Sequence, residues 1–170
     1  MKVGVHRLLW TIAAAVPSLL TSGAAHAQNC AVAVNGILSF GVYTILAPAD
    51  SATTLTVSCS QINQAPNRTL SYTVRLTSGP GSFVNRLMNH LTLPGETLGY
   101  NLYRDAARSV VWGDGTSGTT FSTGQFIFNP PSFGNNQQAQ FTVYGRIPAN
   151  QNPAAGTYQT VAPVTVIVEY

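Results

Sequence analysis

Catalysis needs side chains that can attack, shuttle protons or hold a metal, and this sequence carries few of them. Its histidines are His6, His26 and His90, and only His90 lies beyond the first 27 residues. A Ser-His-Asp triad would have to use it. It sits in Met88-Asn89-His90-Leu91, with no nucleophile elbow such as G-x-S-x-G beside it. A surface or turn histidine is the expectation. Glycoside hydrolysis needs two facing carboxylates, and the acids are Asp50, Glu96, Asp105, Asp114 and Glu169. Asp105 and Asp114 come nearest to a pair, yet Asp114-Gly115 reads as turn chemistry. The stretch Asp114-Gly115-Thr116-Ser117-Gly118 lacks the acidic repeat of a calcium loop. The inventory points to no enzyme, no cofactor and no small-molecule substrate.

Two cysteines remain, Cys30 and Cys59. Two thiols are too few for a four-ligand metal site. In an exported chain an even count points to a disulfide. The start of the sequence supports export. Lys2 and Arg7 form a positive region, an apolar stretch follows from Leu8 to Leu20, and Ala25-His26-Ala27 is a small-x-small cleavage pattern. Residues 1–27 are therefore expected to be a removed signal. The alternative is a retained anchor, but Thr11, Pro17 and Ser18 interrupt an apolar stretch already short for a bilayer. A lipid attachment at Cys30 would want a small residue just before it, where Asn29 stands.

Residues 28–170 are one domain by size. The whole chain is formally +3, but without Lys2 and Arg7 six arginines face five acids. No basic patch or amphipathic helix argues for nucleic acid or a membrane surface.

The elements that would position any site are strands. Period-two alternation runs through Thr53–Cys59, Leu70–Leu76, Leu98–Tyr103, Gln140–Gly145 and Val164–Tyr170. Turn signals divide them: Ser78-Gly79-Pro80-Gly81, Leu93-Pro94-Gly95, Asp114-Gly115, Asn129-Pro130-Pro131 and Pro153-Ala154-Ala155-Gly156. Many short alternating strands argue for a β-sandwich or barrel. In the last strand Val164, Val166, Val168 and Tyr170 share one face. It is expected to be an edge in need of a partner.

Further residues carry a resemblance. Asn101-Leu102-Tyr103-Arg104-Asp105-Ala106-Ala107-Arg108, then Val111-Trp112-Gly113-Asp114-Gly115, closely resembles the central motif of the spore coat U domain family. So do Thr142-Val143-Tyr144-Gly145-Arg146-Ile147-Pro148 and Ala155-Gly156-Thr157-Tyr158, as well as Cys30, Phe40-Gly41-Val42-Tyr43 and Val57-Ser58-Cys59. The resemblance implies a subunit of archaic chaperone–usher pili, carried through the periplasm to the cell surface. It implies an all-β, incomplete immunoglobulin-like β-sandwich lacking its last strand. The implied partners are a periplasmic pilus chaperone, an outer-membrane usher and other pilus subunits, one of which lends the missing strand. Val164, Val166, Val168 and Tyr170 would line the acceptor groove, and the Tyr170 carboxylate would anchor a basic site on the chaperone. A self-sufficient secreted coat or surface-binding module is the alternative.

Two departures from the family pattern matter. A donor strand needs ~10 residues at roughly 3.3 Å each, yet cleavage after Ala27 leaves only Gln28 and Asn29 before Cys30. The chain is expected to accept a strand without giving one, as a tip or initiating subunit would; a shaft subunit cleaved earlier is the alternative. The second departure is Phe126-Ile127-Phe128-Asn129-Pro130-Pro131-Ser132-Phe133. Phe128, Pro130, Pro131 and Phe133 could form an adhesive loop. Alternatively, Phe126 and Phe128 are inward-facing strand residues that Pro130-Pro131 terminate.

Overall fold

The computed structural model describes residues 28–61, 68–129, 136–160 and 164–170. The expected signal, residues 1–27, and Pro130, Pro131 and Phe133 lie outside them. Nine strands form the described chain: β1 Gln28–Asn35, β2 Ala49–Gln61, β3 Arg68–Leu76, β4 Arg86–His90, β5 Thr97–Tyr103, β6 Ser122–Phe128, β7 Asn136–Ile147, β8 Tyr158–Gln159 and β9 Val166–Glu169. No helix occurs among the described residues. A six-stranded sheet has the order β1-β2-β7-β5-β4-β8, and a three-stranded sheet has the order β6-β3-β9. Every pairing between these strands is antiparallel.

Period two decides which side chains go inside. On β3, Leu70, Tyr72, Val74 and Leu76 are buried, while Ser71, Thr73 and Arg75 point outward. On β2 the inward set is Leu55, Val57 and Cys59, all fully buried. Phe141 of β7 packs edge-on against both Tyr72 and Trp112, which sets β7 over β3. Trp112 fills the centre, and its indole N–H donates to the Val74 carbonyl at 3.1 Å.

The lateral order of the two layers follows from one hairpin. After β5 the chain doubles back, with Arg104 N–H donating to Val110 O and Trp112 N–H to Leu102 O. It then bonds Thr120, just ahead of β6, through Gly113 N–H and Val111 O. β6 is thereby tied to the β5 side. β9, across β3 from β6, lies toward β2 and β1.

Below the small sheet, the segment between β1 and β2 covers the inner face of the large one. Leu38 and Phe40 lie against Gly145, where an added Cβ would come within 2.7 Å of Leu38; only glycine allows that approach. Tyr43 holds the segment down, with its hydroxyl donating to Pro148 O at 3.0 Å and accepting from Gln151 N–H at 3.0 Å.

Cys30 and Cys59 stand directly opposite each other and form a disulfide that joins β1 to β2. Losing it frees about 3 kcal/mol of loop-closure entropy in the unfolded chain. The double variant Cys30→Ser with Cys59→Ser should lose roughly that much stability in denaturant titrations. Its first amides to exchange should be those of β1.

Candidate functional site

The strongest candidate site is an open seam along one side of the two layers. β9 is the edge of the small sheet, and β1 is the edge of the large one. Val32 and Val34 of β1 stand opposite Val57 and Leu55, so their side chains share the inner face. Yet Val57 and Leu55 are fully buried, whereas Val32 is 36 % and Val34 is 55 % exposed. Among the described residues, no strand of the small sheet lies beneath β1.

The β9 edge has matching geometry. Thr77 N–H donates to Thr165 O at 3.0 Å, making that pair a hydrogen-bonded one. The register pairs Arg75 with Ile167 and Leu76 with Val166. Alternation then turns the N–H and C=O groups of Val166 and Val168 away from β3, toward the free edge. Their side chains point inward and are half-buried, as is Val164. Val164 packs against the turn at Gly79, where an added Cβ would lie 3.0 Å from its Cγ2. Tyr170 lies past the end of β9 and is 58 % exposed. The outward face of β9 is closed by Glu169, which pairs with Arg75 at 3.2 Å and accepts from Thr73 Oγ1 at 3.3 Å. The seam thus presents valines on two facing edges, with backbone groups on the β9 side that are unpaired among the described residues.

Of the two readings of Phe126–Phe133, the inward-facing one holds at Phe128, which is thereby removed from the adhesive loop. Its side chain is 1 % exposed and packs against Phe126, itself stacked on Tyr72. Period two sends both rings into the core, so Phe128 cannot present itself to a surface. His90 is the last residue of β4, at the start of the turn that follows. Its Nδ1 accepts from the N–H groups of Thr92 and Leu93 at 3.1 and 3.0 Å, and its Nε2 contacts Ala155 O at 3.1 Å. Both ring nitrogens are engaged locally, with Thr92 Oγ1 a further 3.4 Å from Nδ1.

Sequence reasoning missed Val32 and Val34, although the alternation Ala31-Val32-Ala33-Val34 after Cys30 was there to be read. It also missed a recess of about 850 Å³ between the β1–β2 segment and the large sheet, lined by Leu38, Phe40, Met88, Leu98, Ile147 and Tyr158 among others. No group of three or more metal-ligating side chains occurs among the described residues. No helix there is long and apolar enough to cross a membrane.

A family model described as the Spore Coat Protein U domain matches residues 16–165 of the 170-residue chain. The chain belongs to that family. A search of curated proteins returned no match. In this Spore Coat Protein U domain the motif residues serve architecture. Asn101 donates to Phe83 O and Val84 O at 2.8 and 3.1 Å and also accepts from buried Arg86. Asp105 caps a tight turn, accepting from the N–H groups of Ser109 and Val110. Arg146 grips Asp50 with two bonds of 2.7 and 2.9 Å, and Arg108 adds a contact at 3.3 Å.

These carboxylates set a pH dependence. The backbone N–H groups of Ser109 and Val110 hold the Asp105 carboxyl down to about 2. The Arg146 hydrogen bond lowers Asp50, with the charge on Arg108 adding to it. A carboxyl lowered by folding contributes stability above its unfolded value, and loses it as pH falls toward the folded one. Stability of the Spore Coat Protein U domain should therefore decline between about pH 4 and pH 2. Asp105→Asn should flatten that decline in an acid titration of the unfolding midpoint; an unchanged slope would contradict the capping role.

Proposed function

We propose that this chain is a non-enzymatic structural subunit of a surface pilus or coat, with an incomplete immunoglobulin-like sandwich that accepts a strand from another protein. The observation that carries the reading is the seam: two valine-lined edges on one side, with room for one strand beside β9 and beneath β1. An incoming extended segment would bond the outward N–H and C=O groups of Val166 and Val168. Its alternate side chains would cover Val32, Val34, Val164, Val166 and Val168, each covered valine contributing about 1 kcal/mol or more. Val164, Val166, Val168 and Tyr170 are the acceptor residues in this reading. A periplasmic chaperone supplies the strand first, an outer-membrane usher receives the complex, and a neighbouring subunit supplies the strand in the fibre.

Export by removal of residues 1–27 belongs to the same reading. β1 begins at Gln28 and pairs with β2 along its whole length. Cleavage after Ala27 would commit every early residue to the domain's own sheet and leave none to donate. That supports a tip or initiating position. N-terminal sequencing of the exported protein tests it, and ten or more residues ahead of Cys30 would contradict it.

The decisive experiment for acceptance is thermal unfolding of the exported protein with and without an alternating apolar donor peptide. Stabilisation that grows with peptide concentration is expected by mass action. A stable domain indifferent to peptide would instead fit a self-sufficient coat or surface-binding module.

A further inference from the structure

β1 has a free edge of its own, in the large sheet rather than the small one. The Cα atoms of Cys30 and Cys59 are 4.1 Å apart, the spacing of a non-hydrogen-bonded antiparallel pair. Alternation then points the N–H and C=O groups of Cys30, Val32 and Val34 away from β2. Among the described residues nothing receives them. Native sheets usually blunt such an edge with charge, proline, a bulge or short length. β8 has two residues and β9 four. β1 has eight, in unbroken register with β2, and Asn29–Asn35 contains no charge and no proline. Apart from half-buried Cys30, all of Asn29–Asn35 is exposed. The disulfide pins this strand, so it meets a partner already ordered.

The edge reads almost the same in both directions about Val32. Asn29 mirrors Asn35, Cys30 mirrors Val34 and Ala31 mirrors Ala33. We infer that two copies of this chain pair antiparallel through β1, about a two-fold axis at Val32. Val32 then meets the partner's Val32, and Cys30 meets the partner's Val34. These are the residues whose backbone groups face outward, so the register forms about six interchain hydrogen bonds. Outward-facing Ala31 sits against the partner's Ala33, where two small side chains let the strands close up. Asn35 already donates to Thr54 Oγ1 and Thr56 Oγ1 at 3.2 and 2.9 Å, which leaves its amide oxygen to accept from the partner's Asn29. The contact is isologous and closes on itself, as a stable dimer requires. It uses the large sheet, whereas a donor strand would add to β9 in the small one. The two associations are therefore separable.

Sedimentation equilibrium of the exported protein tests the inference. A monomer–dimer equilibrium is expected. Ala31→Lys combined with Ala33→Lys sets like charges opposite each other across the axis, and should weaken association at least ~10-fold. Ala31→Lys combined with Ala33→Glu sets opposite charges there and should restore it. Both positions are exposed, so unchanged unfolding midpoints will show that the variants fold. A protein monomeric at about 100 μM would overturn the inference. So would a dimer indifferent to the lysine pair, a lysine–glutamate pair that fails to restore association, or a dimer that a donor peptide dissolves.

Discussion

Arg86→Ala should destabilise the domain by about 3–5 kcal/mol. That is a large share of what a domain of this size possesses. Arg86 opens β4, is fully buried, and has no carboxylate partner among the described residues. Its guanidinium donates instead to Trp112 O at 2.8 Å, to Thr77 O at 3.1 Å and to Asn101 Oδ1, while the Phe83 ring lies 5.4 Å away. Burial pulls its pKa down to about 10, so it stays charged at neutral pH. One side chain thus ties the end of β3, the Trp112 hairpin and β5 together at the closed side of the fold. Alanine would leave the two carbonyls and the Asn101 oxygen without their donors, in a newly made cavity. Arg86→Lys should recover only part of the loss, because an ammonium lacks the planar fork that reaches several acceptors. Denaturant midpoints measure this. A loss under about 1 kcal/mol for the alanine variant would contradict the role given to Arg86.

The second large effect separates folding from assembly. Val34→Asp should cost the free chain little, because Val34 is already 55 % exposed. Once a strand lies beneath β1, the same carboxylate would be desolvated with no partner, which costs several kcal/mol. Incorporation into fibres should fall to a few per cent of wild type or less, a drop expected from that penalty. Val168→Asp is a poorer probe, since half-buried Val168 already packs against the core and its replacement would destabilise the free chain as well. Fibre yield and the unfolding midpoint, measured on the same Val34→Asp preparation, distinguish the outcomes. Equal losses in both would mean that Val34 is ordinary core; a loss in neither would mean that nothing covers it.

Most of the fold was legible because alternation survives wherever one face of a strand is buried. Leu70–Leu76, Leu98–Tyr103 and Val164–Tyr170 all lie on or across observed strands. β4 escaped because its inward residues are Arg86 and Met88, and a buried arginine looks polar in any pattern. β8 escaped because two residues carry no period. The disulfide was legible from the cysteine count and the expected export signal alone. The closing strand and the shared face of Val164, Val166 and Val168 were read in advance from alternation. The exposure of Val32 and Val34 was not, because they look like ordinary core residues until the structure places no described strand of the small sheet beneath them. Phe128 was legible by the same alternation: beside Pro130 it resembles a loop residue, yet its parity with Phe126 turns it inward, as the second of the two readings had it.

The central claim is that β9 presents an edge waiting for a strand, and amide hydrogen exchange at Val166 and Val168 tests it most directly. In the isolated protein lacking residues 1–27 both amides should exchange fast, since neither bonds β3. In the complex with a chaperone, or in the assembled fibre, both should become protected to the level of Val74. Protection already present in the isolated chain, or fast exchange persisting in the fibre, would contradict the account.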